Sequence, residues 1–310
     1  MSFLSKYQDV LDRSTLSDMS KFQYKSRLSR LTEITGQDID WVLKNCKQTF
    51  IKMKEQEKME PETAKALVNS IMAVYKYTNN LKEINNRSYL CWKDLASKLK
   101  ELTQKKYDNA EPSQKQLESY VTWKEVILGR ETMDKTSQGY LLLCMYTMIP
   151  PCRADLNKIK IYQSVPQINE GNYLILTKTK ATLIYNEFKT KKVGNIRYEK
   201  DLPEELIQVI RSSLERNPRD YLIVSPLTGL PYEKANSYTV YFNTILSKLF
   251  GKKVTINTLR HSYINSLDMN TLKPIEKDAI AKDMMHALKT MERYRYIHPS
   301  VKCDVVCKES

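Results

Sequence analysis

Four separated stretches carry side chains that are odd for a packed interior. They are Arg153 in "PPCRADL", the lysines of "NEFKTKKVGNIR", Arg260 with His261 in "TINTLRHSYINSL", and His286 ahead of Tyr294 and Tyr296 in "MMHALKTMERYRYI". Together these residue types describe phosphoryl transfer without a metal or cofactor. Two guanidiniums can each hold a phosphate oxygen through paired N–H donors and stabilise charge on a pentacoordinate phosphorus. A lysine can protonate a departing sugar oxygen. A tyrosine, whose ordinary pKa is about 10, can attack phosphorus where neighbouring cations favour its phenolate.

Each feature also has a plain structural explanation. Arg153 has Asp155 two residues on as an ion-pair partner. Lys189, Lys191 and Lys192 lead into a turn at Gly194, and lysines at a hairpin rim usually protect a sheet edge. Tyr294 and Tyr296 on a surface helix are ordinary amphipathic packing residues. It is the combination and its order along the chain that point to chemistry.

The 310-residue chain exceeds one usual core, so two domains are expected. Lys and Arg total 50 against 36 Asp and Glu, a net charge of +14, which calls for a polyanionic partner. No apolar run approaches the roughly 20 residues of a spanning helix, and "MSFLSKYQDVLDRS" is too polar for a signal peptide, so no membrane role is expected. Only 7 glycines argue against Gly-rich phosphate loops, and three histidines with no CxxC argue against a zinc site. The six scattered cysteines read as reduced thiols of a cytoplasmic or nuclear protein.

The elements that must position these residues fall into two groups. Residues 1–111 read as a helical, lysine-rich module. Ser17 caps a helix that stops at Gly36, Pro61 opens a second whose Leu67, Ile71, Val74 and Tyr75 share a face, and a third carries lysines at 93, 98, 100, 105 and 106. A polar, Pro-containing stretch at 108–123 reads as a linker. Residues 112–310 open with the apolar helix "SQGYLLLCMYTMIPP", stopped by Pro150 and Pro151. Short strand-like runs follow in "NKIKIYQ", "NYLILTKT", "TLIYNEFKT" and "GNIRYEKDLP", and helical patterns then return. The expected fold is mainly α with a small antiparallel β-sheet (α+β).

The order Arg, Lys, Arg, His, Tyr resembles the tyrosine recombinase (phage-integrase-like) family over most of the chain. On that resemblance Arg153 is the first arginine, and Lys189 is the hairpin lysine with Lys191 as runner-up. "NTLRHS" looks like the His-x-Leu-Arg-His box, making Arg260 the second arginine. "MMHALKTMERY" looks like the family's ending, making His286 the penultimate ligand and Tyr294 the nucleophile, ahead of Tyr296. Asn257 stands where the box commonly has His or Lys; it can donate to a phosphate oxygen but cannot take the tyrosine's proton. Met285 stands where the family has Gly before the histidine.

The resemblance implies a core-binding domain at 1–111 and a catalytic domain at 112–310, which together grip double-stranded DNA as a C-shaped clamp. It implies cleavage through a 3′-phosphotyrosyl intermediate and religation, without cofactor, by a homotetramer on two DNA sites. The expected source is a virus or mobile element. A type IB topoisomerase, a telomere resolvase and a catalytically inactive DNA-binding relative share parts of this pattern.

Overall fold

A computed structural model of the chain describes residues 4–56, 59–152, 156–167, 170–187, 197–285 and 287–295. It separates into two compact units, Met1–Asn109 and Ala110–Ser310.

The first unit is built from helices. They are α1 (Leu4–Asp12), α2 (Asp18–Thr35), α3 (Ile39–Lys44), α4 (Cys46–Glu55), α5 (Pro61–Tyr77), α6 (Leu81–Ile84) and α7 (Asn86–Asp108). The end signals act as their chemistry dictates. The Ser17 side chain accepts from the Ser20 N–H, and Gly36 takes a left-handed φ of 64° to close α2. Leu67, Ile71, Val74 and Tyr75 of α5 are all buried, because their spacing keeps them on one helical face. The core closes around the carbonyl of Leu43, which accepts from both the Tyr75 hydroxyl at 2.9 Å and the Trp92 indole at 3.0 Å. Of the α7 lysines, Lys93, Lys98, Lys100 and Lys105 are exposed, whereas Lys106 pairs with Glu60 at 2.9 Å and Glu62 at 3.7 Å.

One expectation fails in this unit. Cys46 and Cys91 are joined as a disulfide with a Cα–Cα distance of 6.3 Å, so these two are not free thiols. They stand 45 residues apart at α4 and α7, and only the folding of α4 onto α7 brings them together. Cys144 and Cys152 are buried thiols, not joined in a disulfide.

The second unit begins with α8 (Gln114–Ser119) and α9 (Trp123–Glu131), then α10 (Gln138–Thr147). The polar stretch read as a linker therefore contains a helix, and Tyr120 and Val121 at its end are buried. Every residue of α10 from Gly139 to Tyr146 is buried, which makes it the helix around which the unit packs. Four strands follow: β1 (Lys160–Tyr162), β2 (Tyr173–Leu176), β3 (Ala181–Tyr185) and β4 (Tyr198–Asp201), in the order β1-β2-β3-β4.

The α+β class and the four strand runs are as expected, but the sheet is mixed rather than wholly antiparallel. β2–β3 and β3–β4 are antiparallel, while β1 pairs parallel with β2, Lys160 opposite Tyr173. The connection at 163–172 is long enough to return the chain to the same end of the sheet, which a tight hairpin cannot do. Helices α11 (Glu204–Arg216), α12 (Ala235–Phe250), α13 (Ile256–Ser266), α14 (Pro274–Asp283) and α15 (Leu288–Glu292) complete the unit.

Candidate active site

Helix α13 is set by its first residues. Thr255 and Thr258 form a capping pair, and the Asn243 side chain accepts from the Ile256 N–H at 2.9 Å, tying α12 to the start of α13. The helix lies between two apolar clusters. Leu259 joins the large core with the sheet and α10, and Ile264 joins a smaller one with Met284 and Met291. Arg260, His261 and Ser262 are consequently buried.

A guanidinium held at 2% exposure requires groups that receive its donors or its charge. Arg260 Nη2 donates to the Met284 carbonyl at 3.5 Å, and the guanidinium carbon lies 4.5 Å from the centroid of the Tyr294 ring. Aromatic faces attract cations at that range. Asn257, one turn earlier on α13, is exposed.

His261 touches the same tyrosine. Its ring centroid is 4.8 Å from that of Tyr294, and Nδ1 lies 2.6 Å from the Tyr294 carbonyl oxygen. Nε2 lies 3.3 Å from Nε2 of Gln116 on α8. Burial pushes the imidazole pKa down to about 4; the Tyr294 carbonyl opposes that shift and the Arg260 charge adds to it.

A second junction sits where α14 ends. The Asp283 carboxylate accepts from the Tyr198 hydroxyl at 2.6 Å and pairs with Lys200, fastening β4 to the end of α14. Burial, then the Asp283 carboxylate, raises the Tyr198 phenol far above its ordinary value. Met285 follows in the left-handed conformation, φ 56°. Pro150, Cys152, Tyr185, Tyr198, Lys200, Asp283 and Met285 line one narrow cleft. Two wider concavities, of about 390 and 610 Å³, lie elsewhere, and among the described residues neither is lined by a candidate.

Of the residues singled out from sequence, Asn257, Arg260, His261, Met285 and Tyr294 are described, and Arg260 and His261 are both brought against Tyr294. Arg153, Asp155, Lys189, Lys191, Lys192, His286 and Tyr296 lie outside the described residues. Cys152 precedes Arg153, Tyr185 and Tyr198 bracket the lysine-rich segment, and Met285 precedes His286; all four line the cleft. Sequence reasoning missed Gln116, Asp283 and the contact of His261 with Tyr294. Gln116 had a signal in "SQKQ", since Ser followed three residues later by Gln is a capping box. Asp283 had none.

No family model matches the chain, and no curated protein matches it. Among solved structures it is similar to the crystal structure of XerA recombinase, at 16% identity over 99% of this chain and 97% of that one, with a TM-score of 0.45. It is also similar to XerH site-specific recombinase in a pre-cleavage complex with its difH substrate, at 11% identity over 98% and 94%, with a TM-score of 0.44.

Proposed function

We propose that this chain is a site-specific DNA recombinase of the tyrosine class, in which Tyr294 attacks a backbone phosphate held by Arg260. The observation that carries this reading is the Arg260–Tyr294 pair. A buried guanidinium, costly to place in a core, is set against the phenol ring that the residue order assigns as nucleophile. Arg153 supplies the second guanidinium and His286 and Asn257 further donors to the phosphate. Lys189, with Lys191 as the other choice, protonates the leaving 5′ oxygen. Their cationic donors carry the transition-state charge.

The Arg260 guanidinium lies against the Tyr294 ring, so the ring rotates aside for phosphate to reach the guanidinium. The chain is proposed to act as a homotetramer on two double-stranded DNA sites, inside a cell, in the service of a virus or mobile element. Asn257 favours one other reading, an inactive DNA-binding relative, because an amide cannot accept the tyrosine's proton.

Strand cleavage on DNA sites selected with the purified protein decides between these. Tyr294→Phe should abolish cleavage and leave affinity within about twofold, since only the nucleophilic oxygen is lost. Cleavage by Tyr294→Phe but not by Tyr296→Phe would refute the assignment, and no cleavage by the unaltered protein on any selected site would favour the inactive relative.

A further inference from the structure

We propose that Gln116 and His261 form a positioning relay that pins the main chain at Tyr294, so that the phenol reaches phosphate by side-chain rotation alone. The proposal rests on Tyr294 being the nucleophile. The polarity of the contacts fixes the relay's direction. A carbonyl oxygen only accepts, so the 2.6 Å contact to Tyr294 O places a hydrogen on His261 Nδ1. The buried ring is neutral, which leaves Nε2 as an acceptor. Facing it at 3.3 Å is Nε2 of Gln116, an amide donor. That orientation of the amide is set in turn, because Gln116 Oε1 accepts from the Ser113 N–H at 2.7 Å in the capping box of α8. Donation therefore runs one way, from Ser113 through Gln116 and His261 to Tyr294.

The other main-chain group of Tyr294 is also engaged, its N–H donating to the Met291 carbonyl at 2.9 Å. Met291 is fully buried and anchors that turn in the smaller core. Both main-chain groups of Tyr294 are therefore held. His261 touches the main chain and the ring, which makes it a positioning residue rather than a proton acceptor for the phenol. The relay starts in α8, the first helix after the boundary at Asn109, so the cap of that helix sets the register of a tyrosine near the other end of the unit.

The test uses full-length protein and a nicked duplex on which the covalent adduct accumulates. In His261→Asn the amide nitrogen replaces Nδ1, and adduct formation should stay within about threefold of the unaltered rate, because the carbonyl keeps its donor. In His261→Gln the amide replaces Nε2, and the rate should fall about tenfold to hundredfold, the range for a buried acceptor left without its donor. DNA affinity and melting temperature should be alike in the two variants. Equal rates for Asn and Gln, or rates that follow stability, would overturn the relay.

Nitrogen-15 spectra of histidine read the same contacts without catalysis. One of the three histidines should be a neutral Nδ1–H tautomer at pH 7. Gln116→Glu, which keeps the cap but presents an acceptor to Nε2, should convert it to the imidazolium. A neutral Nε2–H tautomer in the unaltered protein would refute the relay alone, whereas absence of any adduct would overturn the nucleophile assignment on which its purpose depends.

Discussion

Arg260 and His261 are neighbours in sequence and buried alike, yet they do different things to Tyr294. Arg260 sets a charge against the ring, and His261 holds the carbonyl. The neutral state of His261 has a consequence for stability. Its pKa falls from 6.5 in the unfolded chain to about 4 in the fold. A depressed folded value means the contribution is present above the unfolded pKa and is lost as pH falls from 6.5 toward 4. His261→Asn, which cannot titrate, should therefore lose less stability than the unaltered chain between pH 7 and 4.5. The difference should be about 2 kcal/mol in urea unfolding, from the linkage of that shift. Parallel pH profiles for the two proteins would mean that His261 is charged or exposed in solution.

The elements that hold these residues were partly readable in the sequence. Ser17, Gly36, Pro61 and the paired prolines at 150 and 151 act through local chemistry, and the helices begin and end where they direct. Arg260 announced itself because a cation among Ile256, Leu259 and Ile264 has no place on an apolar face. What could not be read depends on contacts between distant segments. The parallel pairing of β1, the Cys46–Cys91 link and the grip of Asp283 on Tyr198 and Lys200 leave no local pattern. Met285 is intermediate. Its place, where the resembled family has Gly, was visible, and the φ of 56° supplies the reason, since that region suits a residue without Cβ. Two terms compete in Met285→Gly. Relief of the left-handed backbone is worth about 1–2 kcal/mol, while removing a buried Met side chain costs about 2–5 kcal/mol. The variant should be less stable by roughly 1–3 kcal/mol in denaturant unfolding. A more stable variant would show that backbone strain, not packing, dominates this junction.

Each unit has its own apolar core. Arg260 and Tyr294 belong to 110–310, whereas the exposed α7 lysines belong to the first unit. DNA affinity falls with salt by about 0.9 log unit per log unit of salt for each phosphate neutralised. A fragment of 110–310 should therefore bind with a shallower salt dependence than the whole chain, as measured by fluorescence anisotropy. Equal slopes would mean that residues 1–109 do not touch the phosphate backbone. The central claim is chemical, and one covalent measurement reaches it. A target duplex nicked just beyond the cleavage site lets the short 5′-hydroxyl fragment diffuse away, so the reverse attack has no nucleophile and the phosphotyrosine accumulates. In buffer containing EDTA the whole chain should become trapped on this DNA, because in the proposed mechanism its own cations rather than a metal supply the charge. Peptide mapping should place the 3′ end of the DNA on Tyr294. A 5′ linkage, a requirement for magnesium, or an adduct on any other residue would contradict the account.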